Sequence, residues 1–215
     1  MKKKNILILS LVALFVTFQL LSCSEHEDNI YSHIDIGSVL LSDNRIVSIN
    51  GYDATKMQAI GIVMGTRSDS VWVVSNKELG QYAYLDTLTT VQNVSSDQTA
   101  LCGSENTAAL LQSDRKAYAA LAVSSFSSPV SGWALPSIGE LRMLSASLGT
   151  VGRSMEVIGG DPFLRCQYLS STQDGSNSQT EALFASCITL QSGFVTSISK
   201  LKKAEVRPIL RIKAK

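Results

Sequence analysis

Gly132-Trp133-Ala134-Leu135-Pro136-Ser137-Ile138-Gly139-Glu140-Leu141 is the most tightly specified stretch of the chain. Ser137 and Glu140 have the spacing of a capping box: the serine oxygen takes an orphan amide of a starting helix, and the glutamate reaches back to the cap amide. Pro136 stops that helix from extending backwards, because its ring fixes φ and it has no N–H to donate. Leu141, Leu144 and Leu148 then supply one apolar face, and Gly149 is placed to close the helix. The spacing predicts a turn into a helix, with Trp133 delivered to the core just before it. Nothing in this pattern demands a functional role.

Upstream, the signal is that of β-structure. Asp35 to Leu40, Ile46 with Val47 and Ile49, Ala59 to Met64 and Val71 to Val74 read as β-like segments separated by Asp43-Asn44, Asn50-Gly51 and the connection around Gly65 to Ser70. They point to a small antiparallel core. Residues 75–103 are less regular, and Ser104 to Val123 has helical spacing through Leu110, Leu111, Ala117, Tyr118 and Leu121. Downstream, Arg165 to Leu190 reads as two strands around the turn-forming run Gln173 to Ser178, and Glu205 to Leu210 as a last strand.

Taken in order, Gly132 to Leu141, Leu169-Ser170-Ser171-Thr172-Gln173 and Glu205-Val206-Arg207-Pro208-Ile209-Leu210 resemble the Lcl C-terminal-like domains. Those domains occur in surface lipoproteins of gut Bacteroidetes and in Fibrobacter paralogous repeats. Gly103-Ser104-Glu105-Asn106-Thr107 also looks like an element of that group, so the likeness covers about residues 34–212. It implies an α+β fold of C-type-lectin-like kind: two helices with small irregular antiparallel sheets, in one domain over residues 34–215. Trp133, Pro136, Ser137, Glu140, Arg207 and Pro208 are then expected to be structural signature residues. Arg207 is expected to anchor the fold through carbonyls or a carboxylate. Leu169 stands where the family usually carries an aromatic, and the Glu-Pro-Asn and Trp-Asn-Asp runs of calcium-dependent lectins are missing. No ligand residues are carried over, and the ligand-binding residues stay unassigned.

The N-terminus gives an address. Lys2, Lys3 and Lys4 precede an apolar run of sixteen residues from Ile6 to Leu21. That describes a secretory signal over residues 1–22, shorter than the roughly 20 apolar residues of a spanning helix. Leu20-Leu21-Ser22-Cys23 resembles the lipobox of bacterial lipoproteins, which implies cleavage before Cys23 and a diacylglycerol thioether on it. Each buried methylene contributes about 0.8 kcal/mol, so two or three acyl chains make a durable membrane anchor. Ser24-Glu25-His26-Glu27-Asp28, within a tether over residues 23–33, resembles the surface-export signal of Bacteroidetes lipoproteins. The expected location is the outer membrane, lipid-anchored and facing the exterior.

Composition excludes several classes. The full chain of 215 residues carries +1, and loss of the leader lysines leaves about −2, with no basic field to attract nucleic acid. Lys200, Lys202 and Lys203 read as a solvated turn. Beside Cys23 stand three cysteines, Cys102, Cys166 and Cys187. Cys166 and Cys187 lie symmetrically about the point between Ser176 and Asn177. A cross-strand disulfide and two buried thiols are both compatible with that placement. His26 and His33 lie in the tether and no Cys-x-x-Cys occurs, so neither a metal site nor another cofactor is expected.

No nucleophile–base or paired-carboxylate arrangement emerges, so an enzyme is not expected. Two classes remain. One is a binding or adhesin-like surface protein, possible partners being a glycan or a protein, in a fimbria-like setting. The other is a structural envelope lipoprotein with no soluble ligand. In the first case the binding face is expected on long loops, Gln173 to Thr180 and Tyr82 to Asp97.

Overall fold

The computed structural model describes residues 34–67 and 69–213. The signal over residues 1–22, the lipidated Cys23 and the tether over residues 23–33 lie outside the described residues.

Among the described residues eleven strands form two sheets. The first holds β2 (Ile46–Val47), β1 (Val39–Leu41), β3 (Ala59–Arg67), β4 (Ser70–Ser75), β11 (Ile209–Lys213) and β6 (Trp133–Ala134), in that spatial order. Every pair in it is antiparallel. The second runs β5 (Gly80–Ala83), β10 (Lys203–Val206), β7 (Gln167–Gln173), β8 (Phe184–Thr189) and β9 (Phe194–Ser199). It is mixed, because β10 and β7 are parallel. The chain is α+β, and the expectation of small irregular antiparallel sheets is corrected at that pair.

Alternation in β4 explains why it occupies the middle of its sheet. Val71 and Val73 enter one core cluster, Trp72 and Val74 the other, and all four are buried. Such a strand needs covering on both faces. Helices α1 (Gly103–Gln112) and α2 (Tyr118–Ser124) contribute to the first cluster, and α3 (Ile138–Val157) to the second. A short α4 (Ser178–Leu183) lies between β7 and β8. The described residues thus hold four α-helices where two were expected.

Two of the differences have local causes. The helical signal from Ser104 to Val123 breaks after Gln112, where the Ser113 hydroxyl donates to the Leu110 carbonyl at 2.7 Å. Serine and aspartate, here Ser113-Asp114, offer the backbone such alternatives to a helical ladder. Gly149, expected to close α3, lies within it, because Val151 and Met155 continue the buried stripe. The turn out of α3 is made at Gly159, whose φ of +66° suits glycine and whose amide meets the Glu156 carbonyl at 3.1 Å.

The chain passes between the sheets twice at neighbouring places. After β4, residues 76–79 lead to β5; after β10, Arg207-Pro208 leads to β11. The Leu79 amide donates to Val206 O at 3.0 Å and the Ser75 amide to Pro208 O at 2.9 Å, so the two crossings run side by side. Pro208, with no N–H, falls where β10 stops and no ladder donor is needed.

Candidate functional site

Glu140 shows what the opening motif does. It is fully buried, and its carboxylate accepts from the Ser137 amide at 2.8 Å and from Trp72 Nε1 at 3.1 Å. The Ser137 hydroxyl accepts from the Glu140 amide at 3.3 Å and donates to Ala100 O at 2.7 Å. The Ile138 amide is taken by Thr172 Oγ1 at 3.0 Å. These amides at the start of α3 are thereby matched by side chains of the helix start itself and of β7. Burial pushes the Glu140 carboxyl up, and the hydrogen bonds from Ser137 and Trp72 oppose that rise. Gly139 is required here: a Cβ would lie 2.6 Å from Ala100 O. Trp133 is buried in β6, edge-on to Phe126 with ring centroids 5.6 Å apart.

Ser170, Ser171, Thr172 and Gln173 are all fully buried, and each polar side chain is engaged. Ser170 donates to Ser186 O at 2.7 Å. Ser171 meets Asn106 Nδ2 at 3.3 Å, while its carbonyl accepts from the Tyr84 hydroxyl at 2.8 Å. Gln173 accepts from the Val91 amide at 2.8 Å and donates to the Val91 and Val94 carbonyls, pinning the irregular segment before α1. Its oxygen also accepts from Lys200 Nζ at 2.6 Å, and that ammonium donates to Thr89 O at 2.7 Å. Lys200 lies in the expected turn between β9 and β10, where Lys202 and Lys203 are exposed, but its own side chain is buried, and burial lowers its pKa to about 8.

At the paired crossings, Arg207 is 1% exposed, with its Nε 3.0 Å from Glu78 Oε1. Its Nη2 donates to Asp161 O at 2.7 Å, and the guanidinium lies over Phe163, 4.2 Å from the ring centroid. Tyr168 donates to Glu78 at 2.6 Å and accepts from the Leu164 amide at 2.8 Å. Arg207 thus meets both a carbonyl and a carboxylate, clamping the segment after α3 onto the crossings. Burial pushes Glu78 up to about 7, and the adjacent Arg207 opposes that rise.

The disulfide alternative is corrected. Leu169 pairs with Cys187 and Gln167 with Thr189, and Cys102, Cys166 and Cys187 are all free. A register break between Leu169 and Gln173, together with α4 in the connection, moves β8 off the simple symmetric pairing. Among the described residues no group of three His, Cys, Asp or Glu is placed to hold a metal ion. No helix among them is long and apolar enough to cross a membrane.

The two long loops singled out in the sequence meet at one surface groove of about 350 Å³, lined by Ser96, Gln98, Asp174, Ser176, Ser186 and Ser197, among others. They touch closely: a Cβ on Gly175 would lie 2.7 Å from Ser96 Cβ. Asp174 accepts from Ser176 at 2.6 Å and, through a very short contact, from Ser197, while Gln98 donates to Ser186 at 2.8 Å. Burial alone would raise Asp174, but these hydroxyl and amide donors together hold it below the usual carboxylate range. The groove is polar yet largely satisfied by its own residues. A second, more apolar groove of about 510 Å³ lies between β5 and α2 and includes Tyr82 from the flagged region. No local sequence signal marked its other wall, because Tyr118 and Leu121 read only as positions at helical spacing.

No family model matches the chain, and no curated protein matches it. Among solved structures, a fimbrial protein from Bacteroides ovatus ATCC 8483 superposes with a TM-score of 0.63 at 17% identity. The match covers 82% of this chain and 48% of that one, so the chain spans about half the length of the fimbrial protein. In its fold, this chain is similar to a Bacteroides fimbrial protein.

Proposed function

We propose that the protein is a lipid-anchored, surface-exposed, non-enzymatic binding protein of the outer membrane, adhesin-like and associated with a fimbria-type assembly. The observation that carries this reading is the fold shared with a fimbrial protein. The leader and the lipobox at Cys23 support the membrane address. The finer reading of the fold as C-type-lectin-like is supported by the order of the three signature motifs, and by α1 and α3 belonging to opposite core clusters. The non-enzymatic reading is supported by the buried polar groups. Glu140, Gln173, Arg207 and Lys200 each meet neighbouring protein atoms in a structural role. A structural envelope role without soluble ligand is the second reading, and the internally satisfied groove at Asp174 favours it.

The test of the anchor is Cys23→Ala in the producing cell. The proposal expects the wild-type chain in the membrane fraction with a lipid-modified N-terminal peptide by mass spectrometry. It expects the variant to lose the modification and leave that fraction. A wild-type chain bearing no lipid would overturn the anchor.

A further inference from the structure

The second groove differs from the first in what its polar groups do. Its helical wall, α2, is apolar on both sides: Ala119, Ala120 and Val123 enter the core, while Tyr118 and Leu121 stand outward at 36% and 39% exposure. A helix apolar all round is ordinarily covered all round. Tyr82 and Phe126 complete an aromatic surface, and Ser125 and Ser127 lie at its rim. Among the described residues, the hydroxyls of Tyr82, Tyr118, Ser125 and Ser127 have no hydrogen-bond partner. Lys116 likewise has no ion pair there; its ammonium lies 5.1 Å from the Tyr118 ring centroid, while neighbouring Arg115 is paired with Asp114.

An apolar protein surface seated on this groove would strand four hydroxyls and an ammonium, each costing about 1–3 kcal/mol if left unmatched. A sugar chain has the opposite chemistry, with C–H faces for the tyrosine rings and hydroxyls for the rim. Lys116 is the charged residue of the lining and favours an anion. The volume falls in the ~300–1,000 Å³ range of small-ligand clefts. We propose that the groove between β5 and α2 binds an acidic glycan, with sugar rings against Tyr82 and Tyr118 and a carboxylate on Lys116. This rests on the binding reading of the protein and fails with it if the role is purely structural. The groove at Asp174 is the poorer host, since its carboxylate repels the same ligand.

The test uses the full chain in mild detergent and isothermal titration with three probes: oligogalacturonate, hyaluronate oligomers and sialyllactose. Each is run beside its carboxyl-reduced counterpart, and polyglutamate controls for charge alone. The proposal expects saturable binding of at least one acidic probe and about tenfold weaker binding of its reduced form. Tyr118→Ala should weaken binding about tenfold. Lys116→Met should erase the preference for acid and most of the salt dependence. Both positions are exposed, and unchanged melting of the variants confirms that they fold. The proposal is overturned if no glycan probe saturates. It is equally overturned if both variants bind as the wild type does, or if polyglutamate binds where the glycans fail. Localisation in cells reads out separately, so a failed surface address and a failed glycan site are told apart.

Discussion

Replacing Glu140 with alanine leaves two buried donors stranded at the start of α3. The Ser137 amide at 2.8 Å and Trp72 Nε1 at 3.1 Å lose their acceptor, and the reciprocal half of the capping box disappears. Each stranded donor costs about 1–3 kcal/mol and the cap about 1 kcal/mol. Against this, alanine relieves the burial of a carboxyl whose pKa is already pushed up. The expected net loss is about 3–4 kcal/mol, large beside a typical stability of about 5–15 kcal/mol. Glu140→Gln keeps one acceptor but turns an NH2 toward amide donors, so about 2 kcal/mol is expected. Urea unfolding followed by tryptophan fluorescence is the assay. With a slope near 2 kcal/mol/M, Glu140→Ala should lower the midpoint by about 1.5–2 M without changing the slope. Trp72→Phe combined with Glu140→Ala should fall short of additivity by about 1–2 kcal/mol, because both remove one hydrogen bond. A loss under about 1 kcal/mol, or strict additivity, would refute the view that Glu140 ties α3 to β4.

The Glu78–Arg207 pair predicts a pH dependence. Glu78 is lifted from 4.5 to about 7, so the folded chain holds that proton more tightly than the unfolded chain. Its contribution is full below about pH 4.5 and is lost as pH rises through about 7, amounting to about 3–4 kcal/mol at about 1.4 kcal/mol per unit. Glu78→Gln should flatten that component of the stability profile between pH 5 and 7.5; an unaltered slope would count against the assignment. Arg207→Met removes the partner of a buried carboxylate and should cost about 3–5 kcal/mol at pH 8, less at pH 5 where Glu78 is protonated. Ligand affinity of the folded variant should not change, and a stable variant that lost binding would contradict a purely structural Arg207. Thiol titration of unreduced, denatured mature protein should count three reactive cysteines, Cys102, Cys166 and Cys187. A count of one would mean that two of them are paired after all.

What could be read in advance was what sequence-near residues decide. Ser137 and Glu140 are three positions apart, so their box is visible before any fold is known. The strands at Ala59 to Met64 and Val71 to Val74 carry their own apolar runs. The misread features depend on distant partners. Lys200 reads as solvated beside Lys202 and Lys203, and it is buried because Gln173 and the Thr89 carbonyl come to it from elsewhere in the chain. Gly149 reads as a helix end because a glycine signal does not reveal that Val151 and Met155 still have a core to enter. The symmetric count linking Cys166 to Cys187 assumed a plain hairpin, and a register break with α4 between the strands defeats it. Glu78 carried no signal, since its importance comes from two sheet crossings running side by side. Of the candidate surfaces, the loop segments were legible from turn-forming residues. The groove beside α2 was not, because an exposed Tyr118 and a buried one look alike until the helix is placed.

The central claim is that this body stands on the outside of the cell. It is tested most directly by treating intact producing cells with a protease and following the mature chain, with lysed cells as control. The account predicts loss of the chain from intact cells while periplasmic markers survive. Protection in intact cells, with loss only after lysis, would turn the body inward and contradict the surface-binding role.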